Sequence, residues 1–219
     1  TFQRSGVYSY NISENGDYGS SKGIDLTLKF RGRAFGSQLQ YTYSIAKNNS
    51  EYPWANVSGQ YVDAPSQESL QFYDRPHDLT FWFYTGLPYG INAAMTAFYQ
   101  SGGPYTPLIF AGKDPQVDAK NPNSKRGPAY RNVNLNFSKY VTIMDHKFSL
   151  GLSLYNLLDI RNEIDIYPLT GKAGNPGAYY TDNVGLADSE HYLSSAYYDR
   201  PWRFSQPREI NFNVRFDFD

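Results

Sequence analysis

Side chains that alternate between apolar and polar for about ten residues, turn, and alternate again limit what this chain can become. The pattern is clearest from Arg75 to Ser101. Leu79, Phe81 and Phe83 share one parity, and Asp78, Thr80, Trp82 and Tyr84 share the other. After the break Leu87-Pro88-Tyr89-Gly90, the residues Ile91, Ala93, Met95, Ala97 and Tyr99 alternate with Asn92, Ala94, Thr96, Phe98 and Gln100. Successive side chains of a strand point to opposite faces, so this segment reads as a β-hairpin with one apolar and one mostly polar face. Proline and glycine at the break suit a tight turn. Each arm exceeds the usual strand of about five or six residues and matches the roughly 9–11 of a tilted membrane-spanning strand.

The pattern recurs along the chain. Phe2 to Asn11 is a weak first strand, interrupted by Arg4, Ser5 and Gly6. Gly23 to Arg31, Ser37 to Lys47, the two hairpin arms, Tyr130 to Tyr140, His146 to Leu157 and Arg208 to Phe218 complete about eight. Short breaks at Gly32–Gly36, Leu87–Gly90 and Val141–Asp145 alternate with long polar segments at Asn48–Asp74, Gly102–Pro128 and Asp159–Pro207. In an up-and-down sheet this places every short turn on one rim and every long loop on the other, the asymmetry of outer-membrane barrels. Charges within the strands favour the polar parity: Asp25, Lys29, Asp78, Lys147, Arg215 and Asp217. A charge facing lipid near the midplane costs about 2–4 kcal/mol.

Composition narrows the classes. The 20 basic and 21 acidic residues leave no basic excess, which argues against nucleic acid as a partner. The absence of cysteine removes disulfides and thiolate metal sites. The 21 tyrosines suit a protein with an apolar layer bordered by water. No run reaches the roughly 18 apolar residues of a membrane helix, so a membrane form would be a barrel, which pairs every backbone group internally. The mean hydropathy of -0.60 agrees with strands that are wet on one side. Thr1-Phe2-Gln3-Arg4 is no signal peptide, and the chain reads as a mature product or a fragment. A soluble β-sandwich or small soluble barrel is the rival, because alternation alone does not say which way the apolar face points.

Several segments then carry a resemblance. Tyr41-Thr42-Tyr43-Ser44-Ile45-Ala46-Lys47, Tyr73-Asp74-Arg75-Pro76-His77-Asp78-Leu79 and Ser101-Gly102-Gly103-Pro104-Tyr105-Thr106-Pro107 resemble strand ends and starts of TonB-dependent receptors. Tyr155-Asn156-Leu157-Leu158-Asp159 resembles that family's Asn-Leu-Phe/Leu-Asp signature. Pro207-Arg208-Glu209-Ile210 with Val214-Arg215-Phe216 is similar to its last strand. The order of these segments, from Gly23 to Asp219, resembles the C-terminal barrel portion of a receptor of the Bacteroidetes type. The resemblance implies an all-β, antiparallel up-and-down transmembrane barrel, with about eight of 22 strands in this chain and no plug domain. It implies import of a metal chelate, glycan or peptide across the bacterial cell outer membrane. The implied partners are outer-membrane lipid, the N-terminal barrel and plug portion, TonB through that portion, and a surface lipoprotein. The family usually ends on an aromatic residue, whereas Asp219 follows Phe218 here.

No enzyme, cofactor or metal site emerges. His77, His146 and His191 lack metal spacing, and no nucleophile elbow, P-loop or zinc-helix motif occurs. An outer-membrane lipase or protease barrel would need a nucleophile–base pair that the sequence does not offer. Asp114 and Asp118, or Asp159, Glu163 and Asp165, are oxygen donors without the dense spacing of a calcium loop. Tyr179, Tyr180, Tyr192, Tyr197, Tyr198 and Trp202 form the candidate ligand-binding cluster of the last loop, or else pack that loop upon itself. Asp25, Lys29, Asp78, Trp82, Asn132, Asn134, Asn136 and Arg215 are the candidate lumen-lining residues. The functional alternative is a complete eight-stranded outer-membrane barrel with a structural or adhesive role.

Overall fold

The computed structural model describes residues 18–49, 68–110, 112–144, 146–183 and 200–217. Its frame is one antiparallel sheet of seven long strands: β1 (Gly19–Arg31), β2 (Phe35–Asn48), β4 (His77–Leu87), β5 (Ile91–Gln100), β10 (Tyr130–Ile143), β11 (His146–Tyr155) and β12 (Glu209–Asp217). Each long strand lies beside the next in sequence, an up-and-down meander. The short β3 (Ser69–Leu70) pairs with the end of β2. Two small hairpins, β6 (Pro104–Tyr105) with β9 (Lys125–Arg126) and β7 (Leu108–Phe110) with β8 (Pro115–Val117), stand in the loops. Among the described residues the fold is all-β apart from a short helix, α1 (Ala178–Asn183), and two single 3-10 turns.

The short turns all fall on one rim. Gly32 closes the first by donating its N–H to the Phe35 carbonyl at 2.8 Å. Pro88–Gly90 closes the second, with Tyr89 and Gly90 at φ 66° and 71°. These left-handed residues turn the chain within a three-residue link.

The alternation holds across the ladder. Leu26, Tyr41, Leu79 and Tyr99 sit opposite one another on four successive strands. Ala93, Phe137, Leu152 and Phe212 do the same on β5 and the three long strands that follow it. These rows form one face. The other face carries the row Asp25, Thr42, Asp78, Gln100, Tyr130 and, lower down, Asn136, Ser153 and Asn211.

Several boundaries differ from expectation. Val141, Thr142 and Ile143 extend β10 through the expected break, because these β-branched residues pair with Phe148, Lys147 and His146. β11 stops at Tyr155, where Asn156 takes φ 49° and leaves the ladder. β1 begins at Gly19, paired to Asn48. Lys47, Arg131 and Lys139, within the expected strands, fall on the apolar parity, and the longer β1 adds Lys22. Lys22, Lys47 and Arg131 lie near the long-loop ends of their strands, and Lys139 is level with Ile91, where β5 begins. The expected strand Phe2–Asn11 lies outside the described residues.

The tightly packed part of the molecule is not the sheet. Among the described residues, the buried apolar side chains are Ala46, Ala173 and the loop prolines Pro104, Pro107 and Pro176. The buried polar ones, Asn48, Asn49, Asp74, Asn156 and Asn162, also sit at the long-loop rim. The apolar face is open: Ile24 is 69% exposed at one edge of the sheet and Phe212 69% at the other.

Candidate functional site

The polar face and the loops that fold over its upper end form the site. All eight residues expected to line a lumen lie on this face. Asp25 accepts the Thr42 hydroxyl at 2.6 Å, and Asp78 accepts the Gln100 amide at 2.7 Å. Each carboxylate is therefore tied to the neighbouring strand. The rings of Trp82 and Tyr84 lie 4.8 Å apart. Lys29 stands opposite Gln38, Asn136 opposite Ser153, and Arg215 opposite Ser149. Asn132 donates to the Tyr130 hydroxyl at 3.3 Å, and Asn134 accepts the backbone N–H of Asn156 at 3.0 Å. The sheet thus presents a wall of amides, hydroxyls and a few charges.

Two asparagines fasten the last long loop to this wall. The side chain of Asn162 accepts the N–H of Arg131 at 2.8 Å and donates to its carbonyl at 2.7 Å, so one amide behaves as a paired strand residue. Asn156 donates to the carbonyls of Ile160 and Gln206 at 3.1 and 2.9 Å and accepts the N–H of Ile160 at 3.0 Å. Buried amides are costly unless satisfied, and these two satisfy the backbone of both ends of the loop.

A third anchor lies outside the residues expected to form a site. Asp74 is 2% exposed. Its Oδ1 accepts the Ala46 N–H at 2.6 Å, and its Oδ2 accepts the Arg126 guanidinium. Arg126 also donates to the carbonyls of Asp74 and Gly102 at 3.2 and 3.3 Å. Arg75 donates through Nη1 to the carbonyls of Phe72 and Asp74 at 3.3 and 3.1 Å. Burial, and next to it the charge of Arg126, lower the Arg75 pKa, with Asp74 opposing them. Two glycines make room for this cluster. A Cβ on Gly103 would lie 2.2 Å from Arg75 Nη1, and one on Gly102 would lie 1.7 Å from the Gly127 carbonyl oxygen. Gly102-Gly103-Pro104 was the available signal, since paired glycines mark a close backbone approach.

Two cavities open between the wall and these anchors. One, of about 350 Å³, is bordered by Arg75, Ser101, Tyr105, Tyr130, Glu163 and Ile166. Burial raises the Tyr105 pKa, so its hydroxyl stays protonated as a donor. The other, of about 550 Å³, is bordered by Asn132, Asn134, Tyr155, Asn156 and Glu209. Tyr130 and Ile164 border both.

The aromatic cluster of the last loop is brought together only in part. The rings of Tyr179 and Tyr180 meet edge-on at 5.3 Å. Tyr179 packs on Phe110 at 5.7 Å, and its hydroxyl donates to Asp114 at 2.7 Å. That bond is the main reason the Tyr179 pKa is raised. Trp202, 64% exposed, lies instead under the Arg200 guanidinium at 5.1 Å. Tyr192, Tyr197 and Tyr198 lie outside the described residues, as does His191. The candidate oxygen donors are dispersed among protein partners: Asp118 with Asn121, Asp159 with Arg208, Glu163 with Lys172, and Asp165 with Arg203. His77 Nδ1 lies 2.8 Å from the Tyr41 hydroxyl, and His146 packs on Phe216 at 5.3 Å.

No protein-family model, no curated protein sequence and no solved structure matches this chain.

Proposed function

We propose that the chain forms the C-terminal part of a TonB-dependent transporter barrel in the bacterial outer membrane and helps import a nutrient such as a metal chelate, glycan or peptide. The observation that carries this reading is the open apolar face. A water-soluble sheet buries its apolar face against a second layer. Here Ile24, Leu28, Phe30, Ile210, Phe212 and Val214 are all more than half exposed. A hydrocarbon environment makes that face favourable, and curling the sheet places the amide and hydroxyl wall around water.

Two collars on the apolar side support the same reading. Toward the long loops, Tyr41, Tyr43 and His77 cluster, and Arg131 lies 5.9 Å from the Tyr99 ring. Toward the short turns, Phe30, Phe35 and Phe83 stack in sequence at 5.0 and 5.7 Å, and Phe148 meets Phe216 at 4.8 Å. Aromatic girdles of this kind flank the apolar band of outer-membrane barrels. The basic residues of the apolar parity sit where long side chains can reach headgroups. The remaining strands, the plug and the contact with TonB would come from outside residues 18–217. A surface lipoprotein could then cover the long-loop mouth.

Nitroxide labels at Leu152 and Ser153 in the full-length protein test the orientation. The Leu152 label is expected to be relaxed by lipid-dissolved oxygen and the Ser153 label by a water-soluble nickel chelate. The reverse pattern would favour a soluble protein with a covered apolar core.

A further inference from the structure

We propose that the Arg75 guanidinium is an oxyanion-binding group, which takes a carboxylate or phosphate of a small solute in the cavity beneath the long loops. The argument starts from the allocation of charge. Arg75 and Arg126 both neighbour Asp74. Both oxygens of that carboxylate are committed, one to the Ala46 N–H and the other to Arg126. Arg75 receives no carboxylate in return. Its Nη1 is held by two carbonyls, whereas its Nε and Nη2 have no hydrogen-bond partner among the described residues. A guanidinium edge of two parallel N–H groups matches the two oxygens of a carboxylate or phosphate.

The surroundings favour that edge as a receptor. Arg75 borders the cavity of about 350 Å³, room enough for a compact solute. The guanidinium lies over Gly103, and any larger residue there would displace it, since Nη2 is 2.5 Å from where a Cβ would stand. Glu163 is the other charged side chain on the cavity wall. Its Oε1 is 3.8 Å from Lys172 Nζ, and its Oε2 accepts the Ala173 N–H, so its charge is already answered. Ser101, Tyr105 and Tyr130 add hydroxyls around the opening. Low-dielectric walls strengthen an ion contact formed there.

This inference deepens the import reading, on which its biological meaning rests, by giving the solute an anionic group. The test reads Arg75 directly. The full-length protein in detergent is treated with phenylglyoxal, which modifies accessible guanidinium groups, and the Arg75 peptide is followed by mass spectrometry. The arms are sodium succinate, inorganic phosphate and sodium chloride at matched ionic strength. At an anion concentration four times its dissociation constant, modification of Arg75 is expected to slow about fivefold, while Arg33 on the exposed β1–β2 turn keeps its rate. Protection by succinate alone assigns a carboxylate, protection by phosphate alone a phosphoryl group, and protection by both a general oxyanion site. Equal rates in all three arms, or equal slowing at Arg33, overturn the proposal. Arg75→Lys, which keeps the charge and loses the fork, is expected to bind the protecting anion more weakly in equilibrium dialysis. Arg75 protection does not depend on membrane insertion, so its failure leaves the barrel reading to the nitroxide test.

Discussion

Asp74 holds Arg126 from a position water does not reach: the carboxylate side chain is 0% exposed and the guanidinium side chain 30%. The two residues belong to different long loops and meet beside Ala46, near the end of β2. One ion pair therefore joins three segments at the rim. Removing one partner of a buried pair leaves the other charge uncompensated. Asp74→Ala is expected to destabilise this region by about 3 kcal/mol, the low end of the usual range because Arg126 keeps some contact with water. Hydrogen exchange at the Ala46 amide, which loses its acceptor, is the sensitive measurement. An unchanged exchange rate would show that the pair does not hold the rim.

Gly102 and Gly86 separate a crowded position from an open one. A Cβ on Gly102 would meet the Gly127 carbonyl oxygen at 1.7 Å, whereas one on Gly86 would have nothing within 4 Å. Gly102→Ala is expected to cost about 1–3 kcal/mol as an overpacked site, and Gly86→Ala should leave stability nearly unchanged. Urea denaturation of the two variants checks this, and equal midpoints would contradict the close approach of the two backbones.

How far the sequence could be read is visible in these residues. The long strands follow from a period of two, a local property that survives without knowledge of what lies opposite. Leu152 and Ser153 belong to different faces whichever strand pairs with β11. The rim is another matter. Asp74 and Arg126 are 52 residues apart, and nothing in the intervening composition announces their meeting. The motif Asp74-Arg75-Pro76 was legible as a strand start, but the division of labour between Arg75 and Arg126 appears only once the loops are closed. The surroundings of Tyr179 were hidden for a related reason. Residues close in sequence were expected to act together, yet Asp114 and Phe110, from the β7–β8 region, engage Tyr179.

A charge at position 152 tests the faces energetically. Leu152 lies between Phe137 and Phe212 on the apolar side, and Ser153 lies between Asn136 and Asn211 on the polar side. Leu152→Arg is expected to lower folding stability in lipid vesicles by about 2–4 kcal/mol if the position is near the midplane. Ser153→Arg should be far better tolerated because its surroundings are wet. Equal folding yields for the two variants would count against a lipid-facing apolar side.

Alkaline pH should loosen the loops through Tyr105. Burial raises its pKa in the folded protein above the unfolded value of about 10. The sign follows from proton binding. Above about pH 10 the unfolded chain releases this proton while the folded chain retains it, so stability falls as pH rises. The contribution is intact below that pH and is lost as pH rises through the folded value. Tyr105→Phe is therefore expected to show a shallower loss of stability than the parent protein between about pH 10 and 12. Parallel slopes for the two proteins would mean that Tyr105 ionises as freely in the fold as outside it.

The edge of β12 makes the last prediction. Asn213 stands opposite Gly151, and its amide fills the space where a Cβ would lie 2.5 Å from Oδ1, which fixes the register of β12 on β11. The opposite edge of β12 has no strand beside it among the described residues. In lipid, each unpaired backbone group would cost several kcal/mol, so the edge requires a partner. Phe2–Asn11 is a poor candidate, since Arg4, Ser5 and Gly6 break its alternation. The long loop between β11 and β12 is also large for an eight-stranded barrel, whose interior barely holds its own side chains. β12 is therefore expected to pair with a strand outside this chain's 219 residues. These 219 residues contain no cysteine, so no native thiol within them competes with the introduced pairs. Asn213→Cys combined in turn with Val7→Cys, Tyr8→Cys and Ser9→Cys in the full-length protein is expected to give no disulfide, because bridging requires Cβ atoms about 4 Å apart. A bridge formed at one of these registers would close the sheet on its own first strand and establish the complete small barrel, with the structural or adhesive role that such a barrel implies.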